Sequence, residues 1–334
     1  MTSACDLTVI GGGPTGLFAA FYASMRGLSV RIVDSLPELG GQLMALYPEK
    51  HIYDVGGFRR VLARDLAAGL IEQAMQFDPD VVLDEEVRTL ERDGESWVLG
   101  GRVGSYRSKA VLIAGGKGAF EPRTLEVPGY RELLYHGVHY AVRDPEEYRS
   151  RRVAIVGGGD SALDWALILK DVCGEVWLVH RREGFRAHEA SVRQLDEACE
   201  KEEIRLLTWH EVREIHGNGS VDAVTVFDNR TDEDTRIEVD AVLTFLGFKP
   251  DLGPIKEWGL ELGDGDRRIR VNGLMETSLE GVWAAGDLVD YEGKLDLIAT
   301  GFAEAATAAN QATRYVNPDA RVNPGHSTSN AAFK

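Results

Sequence analysis

One pattern occurs twice in the sequence and restricts the fold more than any other feature: an apolar run, a glycine-rich loop, a helical pattern and a second apolar run. The loops are at residues 11–16 and 157–162. In each copy 23 residues separate the first glycine of the loop from the residue that ends the second run, Asp34 or His180. A strand, a helix and a parallel strand form a βαβ unit, so the repeat predicts two nucleotide-binding half-folds.

Short strand patterns follow each copy and lead to another apolar strand that ends in glycine. Turn signals at Asp93-Gly94 and Asn218-Gly219 predict hairpins. The apolar strands at 110–115 and 241–247 run into glycine-rich stretches that break regular structure and mark domain hinges. The predicted fold class is α/β, with two Rossmann-like dinucleotide-binding domains in a three-layer ββα arrangement. The predicted domains are residues 1–117 with 247–334, and an inserted domain of residues 118–246.

The first loop has the GxGxxG spacing of dinucleotide-binding proteins. Gly11, Gly13 and Gly16 lie between a strand pattern and a helix pattern, so the backbone can approach a pyrophosphate at a helix N-terminus. Asp34 ends the next strand, where a carboxylate can accept hydrogen bonds from ribose hydroxyls. The alternative is a glycine-rich turn that binds no ligand. The position of Asp34 favours a dinucleotide.

The second loop has alanine in the third glycine position, which the pattern permits. We expect its dinucleotide to contact Gly157, Gly159, Asp160 and Ser161. Basic residues replace the acid after the second strand, namely His180, Arg181, Arg182 and Arg186. Guanidinium groups form charge-assisted bonds with phosphate oxygens, so the pattern predicts binding of the 2′-phosphate of NADPH. The alternative is a solvated basic turn.

A third motif follows near the C-terminus, where a strand pattern ends in Gly286-Asp287 and a helical pattern covers residues 300–315. In flavoproteins that bind two nucleotides, this aspartate contacts the ribityl and phosphate region of FAD. The following helix directs its positive end at the flavin, where it stabilises negative charge. We therefore predict FAD at the first loop and NADPH at the second.

Composition narrows the possible partners and location. The 334 residues include 44% hydrophobic side chains, and no apolar stretch approaches the roughly 20 residues of a membrane span. The N-terminus has no secretory signal pattern, so we expect a soluble cytoplasmic protein without a membrane contact. A net charge of −17 excludes nucleic acid as a partner. The three cysteines form no CxxC pair and have no metal-ligand spacing with the eight histidines, so we predict no metal.

The residues together resemble the thioredoxin-reductase-like branch of two-dinucleotide flavoproteins, whose NADPH segment is similar to residues 180–187. Thioredoxin reductases carry a redox CxxC just before the second loop, whereas this chain has residues 137–144 there without a cysteine. The sequence more closely resembles the thioredoxin-reductase-like ferredoxin-NADP reductases, which lack these cysteines and act as homodimers. Four segments carry the resemblance: 40–50, 160–166, 291–294 and the tail 326–329.

The resemblance implies specific site residues. The implied FAD contacts are Thr15, Asp34, Gln42, Tyr47, Val87, Phe120, Asp287 and Thr328. It also implies that Tyr47 stacks on one face of the isoalloxazine and that His326 of the partner subunit covers the other, a favourable use of aromatic rings. The alternatives are a core tyrosine and a frayed-tail histidine. No acid–base catalyst is implied, because hydride moves directly from NADPH to FAD.

The resemblance predicts electron transfer to ferredoxin or flavodoxin. An NAD(P)H-dependent flavin oxidase or diaphorase is the alternative enzyme, and a nucleotide sensor without turnover is a weaker one. Ferredoxins are generally acidic, so a chain of this charge needs a locally basic docking face. We expect docking to weaken as salt rises. The candidate patches are Arg149, Arg151 and Arg152, or Arg267, Arg268 and Arg270.

Overall fold

The computed structural model describes residues 4–116, 118, 121–249, 251–323 and 325, except that the side chains of residues 121, 122, 248 and 249 are not described. It divides into two compact units. We call Met1–Phe120 with Pro250–Lys334 the discontinuous unit, and Glu121–Lys249 the inserted unit. Among the described residues, no helix combines the length and the apolar character that a membrane crossing requires.

The first segment of the discontinuous unit contains both strands and helices of the first repeat. Its strands are β1 (Cys5–Ile10), β2 (Val30–Val33), β3 (His51–Ile52), β4 (Val61–Leu62), β5 (Asp80–Val82), β6 (Val87–Asp93), β7 (Ser96–Gly101) and β8 (Ser105–Ile113). Its helices are α1 (Pro14–Met25), α2 (Gln42–Ala45) and α3 (Ala63–Met75).

The inserted unit repeats this order of elements. Its strands are β9 (Glu121–Pro122), β10 (Val138–His139), β11 (Arg152–Gly157), β12 (Glu175–His180), β13 (Arg205–Thr208), β14 (His210–Gly217), β15 (Val221–Asp228), β16 (Asp234–Glu238), β17 (Ala241–Phe245) and β18 (Phe248–Lys249). Its helices are α4 (Asp160–Leu169) and α5 (Glu189–Glu200), with a 3-10 turn at Pro145–Tyr148.

The last segment completes the discontinuous unit. It contains a 3-10 turn (Gly253–Glu257), strands β19 (Leu262–Gly263), β20 (Arg268–Arg270), β21 (Val282–Ala284) and β22 (Val289–Asp290), and the long helix α6 (Ile298–Val316). Strand β21 pairs in parallel with β8, and α6 packs against α1. The first segment therefore needs residues beyond the insertion to fill its sheet and cover its helix.

The main sheet of the discontinuous unit has the order β5-β2-β1-β8-β7-β6. The strands from β5 to β8 are parallel, and β8, β7 and β6 form an antiparallel meander. The side chains of Leu7, Val9 and Leu112 are completely buried, as expected for strands covered on both faces. Parallel strands end at one edge, so β1, β8 and β21 deliver their loops to the same place.

The inserted unit has a parallel sheet of order β10-β17-β11-β12-β13 and a separate antiparallel sheet of order β14-β15-β16. Ile155, Trp165 and Leu243 are almost completely buried between the parallel sheet and its helices. Strand β9 pairs with β18, so the first and last strands of the unit are hydrogen-bonded neighbours.

The predicted hairpins are confirmed, since β6 and β7 meet at Gly94 and β14 and β15 meet at Gly219. Both glycines have positive φ, +61° and +83°, which these tight turns require. The helix predicted over 300–315 is confirmed with slightly wider bounds, Ile298–Val316.

Candidate dinucleotide-binding sites

The first glycine loop joins β1 to α1 and packs closely on neighbouring backbone. Gly11 has φ +107°, and a Cβ atom there would lie 2.5 Å from the carbonyl oxygen of Ala114. A Cβ atom on Gly16 would overlap the carbonyl oxygen of Gly11. At Gly13 the nearest atom to an added Cβ would be Gly41 Cα at 3.8 Å, an ordinary contact. Packing therefore requires glycine at positions 11 and 16, while position 13 has more room.

Asp34 fixes the same loop from the end of β2. Its Oδ2 accepts a hydrogen bond from the N–H of Gly12, and its Oδ1 accepts one from the N–H of Leu36 at 2.8 Å. The side chain is 7% exposed, and burial raises the pKa of its carboxyl, against the effect of hydrogen bonds from these backbone groups. A carboxylate offers about four acceptor positions, so Asp34 retains acceptor capacity for ribose hydroxyls.

The Gly286-Asp287 turn lies next to this loop. The N–H of Ala285 donates to the carbonyl oxygen of Ile113 at 2.9 Å, so β21 ends level with β8. Gly286 has φ +91°, and a Cβ atom there would lie 3.0 Å from Thr15 Oγ1. Thr15, in the first turn of α1, therefore packs against the turn and brings the helix N-terminus beside it.

Helix α6 also begins at this place. A Cβ atom on Gly301, in its first turn, would overlap Thr15 Oγ1, so α1 and α6 meet closely at their N-terminal ends. Neither Gly13 nor Leu297, the N-cap residues of α1 and α6, makes a side-chain cap, and neither first turn contains an acid. Two positively polarised helix ends therefore meet at one edge of the sheet, which suits a ligand with negative charge.

Tyr47 and Gln42 are two further candidates for FAD contacts. Burial raises the pKa of Tyr47 to about 12, and the negative charges of Asp287 and Asp54 act in the same direction. The charge of Asp287 therefore acts electrostatically on Tyr47. The amide nitrogen of Gln42 would lie 3.2 Å from a Cβ atom on Gly116, so this side chain reaches the glycines that follow β8.

Of the remaining implied FAD contacts, Val87 lies among the described residues. Val87 begins β6, and its side chain is buried at 6% exposure, so it can offer a ligand little more than its backbone. Phe120, His326 and Thr328 lie outside the described residues. Their roles stay predictions.

Sequence reasoning missed a buried polar cluster beside the turn. Glu304 on α6 accepts hydrogen bonds from Gly286 N–H, Tyr291 OH and Lys294 Nζ, each at 2.7 Å. The side chains of Lys294 and Glu304 are 6% and 3% exposed. A sequence signal was present, because Glu304 is the single acid of α6 and alanines lie on both sides of it.

The second glycine loop combines a packed glycine with an open one. A Cβ atom on Gly157 would lie 2.6 Å from the carbonyl oxygen of Phe245, whereas one on Gly159 would meet no described atom within 4 Å. Gly159 is the N-cap of α4 and provides no side-chain cap. Asp160, in the first turn, accepts a hydrogen bond from His188 N–H at 2.9 Å, and Ser161 beside it is exposed. The loop leaves space for a phosphate at the helix end.

The segment after β12 folds back over this loop. The ring of His180 covers Gly158, where a Cβ atom would overlap it, and stacks on Phe185 at 4.9 Å between centroids. The N–H of Arg186 donates to the carbonyl oxygen of Gly158 at 2.8 Å. Burial lowers the pKa of His180, as do the charges of Arg181 and Arg182, although hydrogen bonds with backbone carbonyls oppose this. His180 is therefore largely uncharged near neutral pH and supports the loop by packing.

Arg181, Arg182 and Arg186 are exposed on this segment. Within the described residues, their side chains take part in no ion pair or hydrogen bond that the structure records. Other arginines of the unit are paired: Arg205 with Glu175 at 2.8 Å and Arg230 with Asp228 at 2.6 Å. The three guanidinium groups remain available for an anion beside the glycine loop.

Comparison with known proteins places these features in a family. A model of the family described as pyridine nucleotide-disulphide oxidoreductase matches residues 5–312, which include both glycine loops, Asp34, the arginine segment and the Gly286-Asp287 turn. The chain belongs to the pyridine nucleotide-disulphide oxidoreductase family. Members of the family are oxidoreductases that use a pyridine nucleotide, in agreement with the second loop.

Several relatives within this family cover nearly the whole chain. A ferredoxin–NADP reductase of Thermus thermophilus is 52% identical over 98% of this chain and 97% of its own length. Ferredoxin–NADP reductase 2 of Shouchella clausii is 52% identical over 97% of both chains. Ferredoxin–NADP reductase 1 of Sulfolobus acidocaldarius is 47% identical over 96% of this chain and 98% of its own. The resemblance drawn from the sequence is confirmed.

Solved structures of the family have the same fold. The thioredoxin reductase of T. acidophilum has a TM-score of 0.80 and 26% identity, over 95% of this chain and 99% of its own. The thioredoxin reductase of Lactococcus lactis has a TM-score of 0.79 and 25% identity, over 93% and 99%. The predicted thioredoxin-reductase-like fold with two Rossmann-like domains is confirmed.

The cysteines do not provide the dithiol that the family name suggests. Cys5 is buried, Cys173 and Cys199 are half-buried, and all three are free thiols. Burial raises the pKa of Cys173 to about 11 and also raises the pKa of Cys199. Thiolates are the reactive form, so these side chains are poor nucleophiles near neutral pH. In the described part of the chain, no cluster of His, Cys, Asp and Glu side chains could hold a metal ion.

The two basic patches predicted for docking have most of their charge neutralised by acidic neighbours, and their role in docking stays a prediction. Arg149 and Arg152 pair with Glu146 and Asp240, and Arg151 alone of its patch makes no ion pair with a described residue. In the second patch, the partners are Asp264 for Arg267, Asp296 for Arg268, and Glu261 and Asp290 for Arg270. The run of adjacent arginines does not reveal these acidic partners, because most of the ion pairs form through tertiary contacts.

Proposed function

We propose that this chain is an FAD-dependent ferredoxin–NADP reductase that moves electrons between NADPH and a ferredoxin or flavodoxin. The observation that carries the proposal is the 47–52% identity to ferredoxin–NADP reductases over 96–98% of the chain. The geometry of the two glycine loops supports the cofactors, and the cysteine chemistry argues against disulfide reduction.

FAD fits the discontinuous unit. Its pyrophosphate would lie at Gly11, Gly13 and Gly16, where α1 offers an uncapped N-terminus, and its ribose at the buried Asp34. Gly286, Asp287, Thr15, Gln42 and Tyr47 would hold the remainder, with Val87, Phe120 and Thr328 as further contacts. The electrostatic influence of Asp287 on Tyr47 supports a role for both beside the same ligand.

NADPH fits the inserted unit. Its pyrophosphate would lie at Gly157 and Gly159 and at the start of α4, near Asp160 and Ser161. Arg181, Arg182 and Arg186 would bind the 2′-phosphate because a guanidinium pairs with phosphate oxygens in a bidentate manner. His180 would position this segment through its contact with Phe185 rather than by carrying charge.

The bound FAD supplies the step between a two-electron donor and a one-electron acceptor. The protein itself positions the two ligands and adjusts their electrostatic surroundings. Tyr47 cannot act as a proton donor of ordinary acidity, because its pKa is raised to about 12, and it serves instead as an aromatic contact. No acid–base residue is assigned.

The acidic carrier requires a basic contact surface, and Arg59 and Arg60 provide one. Both are exposed, follow Phe58 at 51% exposure, and make no ion pair within the described ranges. Asp54, earlier in the same loop, influences the pKa of Tyr47, so the loop is electrostatically coupled to the proposed flavin contact. An aromatic side chain next to arginines is a composition typical of protein interfaces.

Charge reversal at this loop tests the docking surface. R59E/R60E raises the apparent KM for ferredoxin by about tenfold, since opposite charges at contact distance become like charges, and leaves turnover with free flavin unchanged. R267E/R270E is the matched control, because it reverses two arginines of the same unit that are already paired. A control that loses as much affinity as R59E/R60E would contradict this surface.

Turnover with several acceptors tests the function. The FAD-loaded protein is mixed with NADPH without oxygen, and reduction of ferredoxin, free flavin and oxygen is then compared. We expect bleaching of the flavin band and the highest kcat/KM with ferredoxin. Bleaching with equal or better turnover of free flavin or oxygen indicates the diaphorase instead. NADPH binding without bleaching indicates a sensor.

Two further properties complete the proposal. The enzyme is a homodimer in which His326 of the partner subunit covers the flavin, and it acts in the cytoplasm. Light scattering at several protein concentrations measures the mass of the assembly. A monomer at all concentrations with full activity would exclude a site shared between subunits.

A further inference from the structure

An ion pair is buried directly behind the Gly286-Asp287 turn. Lys294 and Glu304 are 6% and 3% exposed, and Lys294 Nζ lies 2.7 Å from Glu304 Oε1. The same oxygen accepts a hydrogen bond from Tyr291 OH at 2.7 Å, while Oε2 accepts one from Gly286 N–H at 2.7 Å. One carboxylate therefore ties the turn to α6 and to the segment between them.

Burying this pair is costly, which points to a purpose other than stability. Removing two charges from water carries a desolvation penalty that apolar residues of similar volume would avoid. Glu304 also lies in a helix whose other buried side chains are small, among them Ala305, Ala308 and Ala309. Three short hydrogen bonds compensate the charge, and one of them ends on the backbone of the turn that precedes Asp287.

We propose that the Lys294–Glu304 pair is a positioning element for FAD: it fixes the Gly286-Asp287 turn and keeps the charge behind it neutral, and thereby sets FAD affinity and flavin potential. This inference depends on the FAD binding of the proposed function. Tyr291 adds a second donor, and its ring lies 5.9 Å from Lys294 Nζ, where it stabilises the ammonium group.

Loss of Lys294 and loss of Glu304 should shift the flavin potential in opposite directions. Glu304 is the seventh residue of α6, about 9 Å along the axis from the positive end of the helix. Without Lys294, its carboxylate would oppose the positive end and disfavour the added negative charge of reduction. Without Glu304, Lys294 would add a positive charge and favour reduction. If the pair were only structural, loss of Lys294 and loss of Glu304 would not shift the flavin potential in opposite directions.

The experiment measures FAD binding to the apo-protein and the midpoint potential of bound FAD in K294M, E304Q and K294M/E304Q. We expect K294M to raise the FAD dissociation constant about tenfold, as loss of one buried charged hydrogen bond does, and to move the potential to more negative values. E304Q moves the potential to more positive values, and the double variant returns it towards wild type.

K109M is the matched control, because Lys109 pairs with Asp6 at 2.8 Å in the same unit but far from the turn, at the other end of β1. It should change neither quantity. Single variants that shift the potential in the same direction, or not at all, overturn the inference. If K294M does not fold, E304Q decides alone, since it keeps the side-chain volume and must still give the positive shift.

FAD binding by the wild-type protein distinguishes a failure of the proposed function from a failure of this inference. If it binds no FAD, the proposed function fails and this inference fails with it. If it binds FAD and the variants match its affinity and potential, only the inference fails.

Discussion

Three arginines at the second loop differ from their neighbours because they have no ion-pair partner among the described residues, which the sequence alone does not show. Arg181, Arg182 and Arg186 have no recorded side-chain partner within the described residues, whereas Arg205 pairs with Glu175 in the same unit. Unpaired guanidinium groups keep their capacity to bind an anion, while a paired one must first lose its partner.

R181A/R182A raises the apparent KM for NADPH by about 10- to 100-fold, as loss of one or two charge-assisted hydrogen bonds does. The KM for NADH stays nearly constant, because NADH has no 2′-phosphate. Steady-state kinetics with both nucleotides measures the difference, and R205A is the matched control. Equal losses for NADPH and NADH would show that the segment is only structural.

At the same scale, sequence predicted the loops and their charges but not the contacts that depend on tertiary structure. Asp34 and Arg181 follow their strands at fixed spacing, so position alone identified them. The role of Glu304 depends on Lys294, ten residues earlier, meeting it across a turn. His180 was predicted as a nucleotide contact, and only the stacking on Phe185 shows its packing role.

At the scale of elements, the glycines of each loop divide into two kinds. Gly16 and Gly157 face backbone atoms that a Cβ atom would strike, so they permit strand and helix to pack. Gly159 has no described atom within 4 Å of an added Cβ, so protein packing does not require glycine there. A ligand that approaches the backbone would explain it.

G159A therefore separates binding from folding. It leaves the melting temperature within about 1 °C of wild type and raises the KM for NADPH by about tenfold, since a Cβ atom in the ligand space costs about 1–3 kcal/mol. G16A is the contrasting variant and loses stability as well as FAD. Thermal unfolding and NADPH kinetics measure both effects, and G159A with unchanged KM would contradict a pyrophosphate at this position.

A buried carboxylate, Glu85, stabilises the turn between β7 and β8. Glu85 is 2% exposed and accepts hydrogen bonds from Gly104 N–H at 2.9 Å and Tyr106 OH at 2.8 Å. Burial alone would raise the pKa of its carboxyl, but these bonds and those of the neighbouring N–H groups lower it. The ionised carboxylate therefore stabilises the folded turn above the usual pKa of glutamate and loses this effect as pH falls through the lowered value.

E85Q lowers the free energy of unfolding by about 1–3 kcal/mol at pH 7, because a charged acceptor of several hydrogen bonds is lost. The difference shrinks as pH falls below the usual pKa of glutamate, about 4.3, because the unfolded chain then binds a proton more readily than folded Glu85, whose pKa is lowered. Thermal unfolding between pH 3 and 8 follows it. E86Q is the control, since among the described residues the side chain of Glu86 pairs with Arg88, which is exposed. A difference that grows as pH falls would reverse the assigned pKa direction.

The repeated elements were predictable because periodicity and glycine spacing are local properties. Strands β1 and β11 and the turns at Gly94 and Gly219 were identified in this way. The pairing of β21 with β8 was not, since the two strands are far apart in sequence and only tertiary structure joins them.

At the scale of the molecule, the net charge of −17 opposes any acidic partner at long range. The proposed docking surface at Arg59 and Arg60 adds a short-range attraction, which salt also weakens because both arginines are exposed to solvent. The balance between these effects is measurable.

We expect the KM for ferredoxin to rise several-fold between about 0.05 and 0.3 M salt, as the screening length falls from about 14 to 6 Å. Turnover with an uncharged quinone as acceptor serves as the control and should not change. A KM that is flat or falls over this range would mean that long-range repulsion governs the encounter.

The pairing of β9 with β18 brings together the two ends of the inserted unit, and β21 and α6 lie beyond it in the chain. During synthesis from the N-terminus, the inserted unit is complete before β21 and α6 emerge from the ribosome. Until β21 and α6 are synthesised, strand β8 and helix α1 have part of their apolar surface uncovered. The unit that begins first is therefore completed last, and exposed apolar surface of this kind makes a folding intermediate prone to aggregation.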